Sequence, residues 1–296
     1  MPQVTLDSGI TLEYERDGSG EPLLLVMGLA GQLTDWPAEF VERLVEAGFE
    51  VIRFDNRDSG LSTMTDWQPP SRRKALISMI MRRPVKDVGY TMDDMADDAA
   101  GLLDALDIES AHVVGMSMGG MISQALAIRH PEKVRSLCSV MSNTGDRKNG
   151  NISPKLVRAM GIPKEPSKET AVEDSKKLWS NISGDHYDEA ETARRMEASI
   201  ARSWAPQGVM RQTAAIAGSP DRTAGLADVK TPTLVIHGIK DLLVMPSGGI
   251  ATAAAIPGSR LLMFPDMGHN LPEARQDEMV AAIVANTLRD AVVNVG

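Results

Sequence analysis

The stretch from His112 to Met121 places a serine between two glycines, a pattern that can hold a nucleophile. It reads HVVGMSMGGM, so Gly115, Ser117 and Gly119 form a G-x-S-x-G motif. A serine hydroxyl attacks acyl groups when a neighbouring base takes its proton. Two glycines around a serine are also common by chance, and the alternative is a tight turn without chemistry. The flanking elements must therefore decide between the two interpretations.

The residues on either side of Ser117 predict a strand, a sharp turn and a helix. Val113 and Val114 favour a short strand, and residues 118–128 favour a helix. A nucleophile elbow requires this order of elements. Side chains at positions 115 and 119 would collide with the neighbouring strand and helix, which explains the glycines. The Met118 N–H is expected to point into the pocket and to stabilise an oxyanion.

A nucleophilic serine needs a base, and two of the five histidines follow predicted strands. His237 ends a strand in VIHG, and His269 lies in the loop after the last strand. Ligand sites of open α/β sheets occur at the carboxyl ends of the strands. His112 begins a strand, His130 is expected to cap a helix, and His186 lies among charged residues. We expect His269 to be the base and His237 to be a packed histidine.

The acid that orients the base is expected to be Asp241, on the loop after the strand that ends at His237. Ser117, Asp241 and His269 then follow the chain order that a nucleophile elbow requires. His269 would take the serine proton and return it to the leaving alcohol, while Asp241 holds the imidazole ring. Asp146 is an alternative acid on an earlier loop. Asp266 is close to His269 along the chain and is expected to shape its loop.

A second oxyanion donor is expected in the glycine-rich loop after an early apolar strand. The loop reads Met27-Gly28-Leu29-Ala30-Gly31. Gly28 would let the backbone approach the substrate, and the Leu29 N–H would be the donor. The alternative is an ordinary glycine-rich turn.

Strands alternate with helices over most of the chain, which indicates an α/β fold with a mostly parallel central sheet flanked by helices. The predicted strands are residues 2–6, 10–16, 23–27, 49–54, 113–114, 134–141, 233–237 and 260–264. The predicted helices between them are residues 37–48, 91–107, 118–128, 247–255 and 273–290. Continuous apolar runs such as LLLVM suit strands that are buried on both faces.

The alternation stops between residues 143 and 228, where the pattern is helical throughout. The predicted helices there are residues 154–160, 168–181, 188–203 and 207–216. We expect this block to be a helical cap over a core formed by residues 1–142 and 229–296. The loop DNRD at residues 55–58 is expected to be tied down by hydrogen bonds.

Composition narrows the possible partners. The net charge of −9 disfavours nucleic acid and anionic membranes. The N-terminus has no secretory pattern, and no apolar run reaches the length of a membrane span, so we expect a cytoplasmic protein. A single cysteine allows no intrachain disulfide. The oligomeric state is not indicated.

No cofactor or metal is expected. The sequence has no nucleotide-binding glycine motif and no paired histidines for zinc. Four aspartates, Asp93, Asp94, Asp97 and Asp98, lie in the first turns of one helix. They suit its positive end better than a metal site.

Methionines outnumber phenylalanines, 18 to 4, which favours an adaptable apolar pocket. We expect Gly28, Met116, Trp179 and Trp204 to contact substrate, together with apolar residues such as Met267. The alternative for the methionines and tryptophans is a place in the core. The segment 66–88, with PPSRRK and ISMIMRRP, would border either the pocket mouth or a partner surface.

Five stretches together resemble the α/β-hydrolase family, in the family's order and over nearly the whole chain outside the helical block. They are LLLVMGLAGQLTDWP, VIRFDNRDSGLS, HVVGMSMGGMISQALAIRHPEKVRSL, TPTLVIHGIKDLLV and FPDMGHNLP. Met-Gly after the early strand and the Asn-Arg-Asp-Ser-Gly loop make the chain resemble a branch of bacterial serine esterases that includes aclacinomycin methylesterase. The resemblance implies a Ser117–Asp241–His269 triad, oxyanion donors at Leu29 and Met118, and a helical cap. Leu242 departs from the proline that relatives often have after the acid.

The expected function is hydrolysis of carboxylic esters through an acyl-serine intermediate, on a small to medium hydrophobic substrate. A serine nucleophile disfavours dehalogenase and epoxide hydrolase chemistry, which need a carboxylate ester intermediate. A lactonase, a C–C bond hydrolase or a perhydrolase would use the same triad. A ligand receptor without catalysis is an alternative from another class, because fold alone does not determine function.

Overall fold

Eight strands form one sheet in the computed structural model, which describes residues 1–71, 85–161 and 165–293. The strands, in chain order, are β1 (Gln3–Thr5), β2 (Thr11–Asp17), β3 (Glu21–Val26), β4 (Phe49–Phe54), β5 (Ala111–Met116), β6 (Val134–Val140), β7 (Thr233–Gly238) and β8 (Arg260–Phe264). Their order across the sheet is β1-β2-β4-β3-β5-β6-β7-β8. Strands β3 to β8 run parallel, and β1 and β2 are antiparallel to their neighbours.

The helices of the described residues lie between these strands or in the block between β6 and β7. They are α1 (Ala38–Glu46), α2 (Met92–Ala105), α3 (Met118–Arg129), α4 (Pro154–Met160), α5 (Lys168–Ile182), α6 (Glu189–Arg202), α7 (Pro206–Gly218), α8 (Thr223–Leu226), α9 (Ser247–Ala255) and α10 (Glu273–Val293). The strands and helices predicted from the sequence are confirmed, with ends that differ by a few residues. The predicted strand 113–114, for example, runs over all of β5.

Both faces of the sheet are covered, and the β3 side chains alternate between them. Leu24 and Val26 belong to the core on the side of α2 and α3. Leu23 and Leu25 belong to the core on the side of α1 and α10. A strand that alternates between two apolar layers reads as one continuous apolar run. The carboxyl ends of six parallel strands therefore share one edge of the sheet.

Residues 55–58 tie the loop after β4 to its surroundings, as predicted. The buried Asp55 carboxylate accepts hydrogen bonds from the backbone N–H groups of Leu33 and Leu61, at 2.7 and 2.9 Å. The Asn56 side chain donates to the Met27 carbonyl at 2.9 Å. The loop after β4 is thereby held against the glycine-rich loop after β3.

The block between β6 and β7 contains α4 to α8 and reaches the same region of the molecule. Arg202 in α6 donates from Nη1 to Asp55 Oδ2 and to Gln32 Oε1, both at 2.7 Å. Gln32 in turn donates from Nε2 to the Ser199 carbonyl at 2.8 Å. Partly buried hydrogen bonds, one of them an ion pair, therefore attach the helical block to the loops at the carboxyl edge of the sheet.

None of the helices within the three described ranges is long and apolar enough to cross a bilayer. Of the segment 66–88, residues 72–84 lie outside the described residues. The two alternatives for that segment stay predictions.

Candidate active site

Ser117 lies between β5 and α3 with a backbone conformation that is unusual for a side-chain-bearing residue. Its φ is 57° and its ψ is −118°. Its N–H donates to the Val140 carbonyl at 2.9 Å. Its own carbonyl accepts from the Ser142 hydroxyl at 2.8 Å and from the Gly120 N–H at 3.0 Å. These bonds from β6 and α3 hold the strained turn that presents the serine side chain.

Close packing explains the glycines around Ser117. A Cβ atom on Gly119 would lie 1.9 Å from the Val26 carbonyl oxygen, and one on Gly115 would lie 2.3 Å from the Gly119 carbonyl oxygen. Neither distance is compatible with a side chain. The predicted reason for both glycines is confirmed. Because neither glycine has a positive φ, the glycines of the motif provide space, and Ser117 itself takes the strained conformation.

Asp241 and His269 form a buried pair on the loops after β7 and β8. His269 Nδ1 lies 2.7 Å from Asp241 Oδ2, and the two residues are 3% and 1% exposed. The other carboxylate oxygen, Oδ1, accepts from the N–H groups of Leu243 and Val244, at 2.8 and 2.9 Å. An ionised carboxylate only accepts hydrogen bonds, so Nδ1 carries the proton and Nε2 is the basic nitrogen.

Leu242 does not displace the Asp241 carboxylate from His269. The Leu242 carbonyl accepts from the Ser153 N–H at 2.9 Å, and the Lys240 N–H donates to the Met267 carbonyl at 3.0 Å. These bonds hold the loop on both sides of Asp241, where relatives often have a proline.

The His269 loop packs against the end of α5. The His269 N–H donates to the Ile182 carbonyl at 2.5 Å, and Gly184 forms an antiparallel bridge with Met267. A Cβ atom on Gly268 would lie 1.9 Å from the Ile182 carbonyl oxygen. The backbone of the helical block thus fixes the loop that carries the histidine.

Nearby side chains reinforce the contact between the His269 loop and the end of α5. Asn270 donates from Nδ2 to the His186 carbonyl at 3.2 Å, and His186 Nε2 lies 2.9 Å from Asp266 Oδ2. Arg275 donates to the same Asp266 carboxylate at 2.8 Å, and this hydrogen bond holds the Asp266 pKa well below its usual range. Asp266 therefore shapes the loop, as expected from its position in the sequence.

His237 is a packed histidine at the end of β7. It is fully buried, and Nε2 donates to the Val244 carbonyl at 2.8 Å. Burial lowers the pKa of its ring, which favours the neutral form. Nε2 also lies 3.5 Å from Asp241 Oδ2, so His237 closes the space behind the carboxylate that faces His269.

The alternative acid, Asp146, has other partners. Its Oδ1 accepts from the N–H groups of Lys148 and Asn149, at 2.8 and 2.7 Å, and its Oδ2 accepts from the Asn149 amide. These bonds make Asp146 the organiser of a local turn. The structure pairs Asp241, and not Asp146, with the His269 ring.

The two expected oxyanion donors lie on either side of Ser117. Met118 is the first residue of α3, where backbone N–H groups have no partner within the helix. Leu29 follows Gly28, and a Cβ atom on Gly28 would lie 3.2 Å from the Ser117 Cβ. Among the bonds of the described residues, none uses the Leu29 N–H. Both oxyanion assignments stay predictions.

Within the described ranges, the Ser117 hydroxyl forms no hydrogen bond with His269. Catalytic hydrogen bonds are often long before substrate binds and shorten in the complex. The structure therefore joins Asp241 to His269 directly and places Ser117 at the same sheet edge.

The residues expected to contact substrate lie in different parts of the structure. Met116 ends β5 and is partly buried beside Ser117. The Trp179 ring lies under the Arg195 guanidinium at 4.4 Å. Trp204 lines a cavity of about 410 Å³ whose other walls include Leu61 and Met64, and none of the three expected triad residues lines that cavity. The roles of Trp179 and Trp204 in substrate binding stay predictions.

All four aspartates at the start of α2 have protein partners, and Asp93 Oδ2 lies 3.9 Å from Arg129 Nη1. Asp94 accepts from the Thr91 N–H at 2.7 Å, Asp97 pairs with Arg129 at 2.8 Å, and Asp98 pairs with Arg57 at 2.5 Å. In the part of the chain that the structure describes, no three His, Cys, Asp or Glu residues are arranged to hold a metal ion.

Comparison with known proteins assigns the family. Residues 21–274 match the family described as the alpha/beta hydrolase fold. The chain belongs to the α/β-hydrolase family. The rhodomycin D methylesterase of Streptomyces sp. (strain C5) is 30% identical over 302 aligned residues, which cover 92% of each chain. The family predicted from the sequence is confirmed, and this α/β-hydrolase is a hydrolytic enzyme.

The chain is also similar to α/β-hydrolases that are not named as methylesterases. The 2-hydroxymuconate semialdehyde hydrolase of Pseudomonas sp. (strain CF600) is 29% identical over 75% of this chain and 81% of its own. A solved meta-cleavage product hydrolase from Pseudomonas fluorescens IP01 matches with a TM-score of 0.75 at 21% identity, over 98% of both chains. This structural match confirms the predicted fold.

Several contacts of this α/β-hydrolase site have no signal in the sequence. Ser142 supports the Ser117 carbonyl, Ile182 accepts from the His269 N–H, and Gln212 accepts from the Ala30 N–H. Their residue types fit many roles, and their partners are distant along the chain. No local spacing could have identified them.

The burial of neutral His237 predicts a loss of stability in mild acid. In the unfolded chain the ring binds a proton below its ordinary pKa of 6.5, whereas the folded ring resists protonation. The free energy of unfolding therefore falls as pH decreases through 6.5, because the unfolded chain binds a proton that the folded ring resists. Urea unfolding of the native protein and of His237→Asn, at one pH above 6.5 and at one below it, measures this contribution to stability. Equal pH dependence in the two proteins would contradict the prediction.

Proposed function

We propose that this α/β-hydrolase cleaves carboxylic esters through an acyl-serine intermediate at Ser117. The observation that carries the proposal is the buried Asp241–His269 pair at the sheet edge where the strained turn presents Ser117. Strands β5, β7 and β8 run parallel, so the loops that follow them share this edge. A nucleophile, an acid and a base in this chain order provide the parts that acyl transfer needs.

In the first half of the reaction, Ser117 Oγ attacks the ester carbonyl carbon while His269 Nε2 takes its proton. The N–H groups of Leu29 and Met118 stabilise the negative charge on the former carbonyl oxygen. The carbon–oxygen bond to the alcohol then breaks, and the alcohol leaves with the proton from His269. Asp241 holds the ring and stabilises its cation throughout.

In the second half, His269 takes a proton from water, and the resulting hydroxide attacks the acyl carbon. The acyl–oxygen bond to Ser117 breaks, the carboxylic acid leaves, and the serine recovers its proton from His269. All protons return to their starting positions, and no cofactor enters the balance.

The helical block 143–228 serves in this proposal as a cap over a core of residues 1–142 and 229–296. Support comes from its contacts with the functional loops. The end of α5 holds the His269 loop, and α6 holds Gln32 and Asp55 beside the glycine-rich loop. The cap and the expected apolar lining by Leu29, Met116 and Met118 favour a hydrophobic ester of small to medium size.

A C–C bond hydrolase is the second candidate, and the similarity to the 2-hydroxymuconate semialdehyde hydrolase favours it. The similarity to the rhodomycin D methylesterase covers more of the chain and favours the ester. Product analysis with a methyl ester and with a vinylogous diketone would separate the two activities, because an alcohol is released only from the ester.

Hydrolysis of p-nitrophenyl esters, from acetyl to palmitoyl, tests the proposal. We expect turnover with short and medium chains, and a loss of roughly 10³-fold or more in kcat in Ser117→Ala, because the nucleophile is gone. Ser123→Ala is the matched control, since the buried Ser123 hydroxyl donates to Gly119 of its own helix. No turnover by the native protein, or full activity in Ser117→Ala, would contradict the proposal.

Substitution of each candidate acid by its amide tests the role of Asp241. Asp241→Asn should lower kcat by about 10³- to 10⁴-fold with a similar KM, because an amide no longer holds the required tautomer of the ring. Asp146→Asn should change kcat by less than about threefold, since it removes only turn contacts. Steady-state kinetics on the best p-nitrophenyl ester gives both values. A larger loss in Asp146→Asn would assign the acid to the other loop.

A further inference from the structure

Gln212 is a fully buried polar residue of α7 whose amide has a partner at each end. Its Oε1 accepts from the Ala30 N–H at 3.0 Å, and its Nε2 donates to the Arg57 carbonyl at 2.8 Å. Only one orientation of the amide satisfies both partners. The Ala30 N–H needs the Gln212 oxygen as an acceptor, and the Arg57 carbonyl needs the Gln212 nitrogen as a donor. The side chain thus links the helical block to the glycine-rich loop after β3.

That loop has a backbone conformation that needs support. Ala30 has a φ of 65°, in the left-handed region that favours glycine. Asn56 donates to the Met27 carbonyl at 2.9 Å, and the Ser59 hydroxyl donates to the Gly31 carbonyl at 2.7 Å. These bonds hold the two ends of the loop, and Gln212 holds the peptide in its middle.

The peptide held by Gln212 adjoins the expected oxyanion donor. The Leu29 N–H and the Ala30 N–H belong to consecutive peptides that meet at the Leu29 Cα. A shift of the Ala30 peptide that moves this shared Cα therefore also moves the Leu29 N–H. Gln212 fixes the Ala30 peptide, and among the hydrogen bonds of the described residues its side chain has none to Ser117.

We infer that Gln212 is a positioning residue for the oxyanion hole and that it transmits the position of α7 to the Leu29 N–H. The inference rests on the proposed ester hydrolysis. A donor must lie within a few tenths of an ångström of its ideal place to stabilise a developing oxyanion. Loss of the Gln212 bond leaves the left-handed loop free to relax, and the donor moves away from the oxyanion.

Helix α7 is closely packed near Gln212, and this packing fixes the position of the helix. A Cβ atom on Gly208 would lie 2.0 Å from the Asp58 carbonyl oxygen. Arg211 donates from Nη1 to Asp58 Oδ1 at 3.1 Å and from Nε to the Trp67 carbonyl at 2.8 Å. Arg211 attaches the same helix without touching the glycine-rich loop, which makes it the matched control.

The experiment compares Gln212→Met, Gln212→Glu and Arg211→Lys with the native enzyme. Active sites are counted by titration with a phosphonate, so that unfolded protein does not enter the rates. Two quantities are then measured: kcat and KM on p-nitrophenyl butyrate, and the Ki of a trifluoromethyl ketone with a matching chain. The ketone adds to the serine and places an oxyanion in the hole, so its Ki reports the donors.

Gln212→Met should lower kcat about 10- to 100-fold per titrated site with KM within threefold, and should raise the ketone Ki by a similar factor. Gln212→Glu keeps an acceptor for the Ala30 N–H and should lose less. Arg211→Lys should lower the unfolding temperature but leave kcat and Ki within threefold. Gln212→Asn, one methylene too short for both partners, replaces the methionine variant if that variant folds poorly.

A Gln212→Met enzyme with native kcat and Ki, or with a change in KM alone, would overturn the inference, since Gln212 would then be a structural tie or a substrate contact. Failure of the proposed function has a different signature. The native enzyme itself would then neither cleave the ester nor react with the phosphonate, and both proposals would fall together.

Discussion

The positive φ of Ser117 is the constraint on which the rest of the site depends. Such a conformation costs a residue with a side chain about 1–3 kcal/mol, and it persists only where the surroundings enforce it. The surroundings here are the Val140 carbonyl, the Ser142 hydroxyl and the first turn of α3. The conformation occurs where the chain passes from β5 into the first turn of α3.

The same constraint explains why glycines flank the turn. Strand β3, the turn and α3 approach so closely that a Cβ atom on Gly119 would overlap the Val26 carbonyl. This approach brings the loop after β3 against the serine, where Gly28 faces its Cβ. One strained residue and its small neighbours thus determine where both expected oxyanion donors lie.

The helical block between β6 and β7 contacts the two other parts of the site. The Ile182 carbonyl fixes the backbone of His269, and Gln212 fixes the backbone of Ala30. Buried hydrogen bonds of this kind are costly to break, because each leaves a polar group without a partner. The block therefore helps to fix the loops at the sheet edge, and a shift of α5 or α7 would move those loops.

The sequence predicts what local patterns encode. Apolar runs of four or five residues indicated the buried parallel strands, and the glycines around Ser117 indicated the elbow. The sequence makes Asp241 and His269 candidates because they follow strands whose carboxyl ends share one edge. The pairing of Asp241 rather than Asp146 with the ring needed the structure, since both follow strands.

Contacts between distant segments have no local signal in the sequence. Nothing in the residue types of Ile182 or Gln212 indicates a partner, because a backbone carbonyl or an amide suits many environments. Trp204 was expected near substrate from its size and apolar character, and it lines a cavity beside Leu61 and Met64. Side-chain chemistry alone does not tell which face of a helical block points to the nucleophile.

The most direct test of the central claim is to trap the covalent intermediate. The enzyme is mixed with a p-nitrophenyl ester, quenched in acid within the first turnovers and analysed by intact-mass and peptide mass spectrometry. The account predicts one acyl group per chain, on the peptide that carries Ser117. Release of p-nitrophenol without an acylated chain, or with the acyl group on another residue, would contradict it.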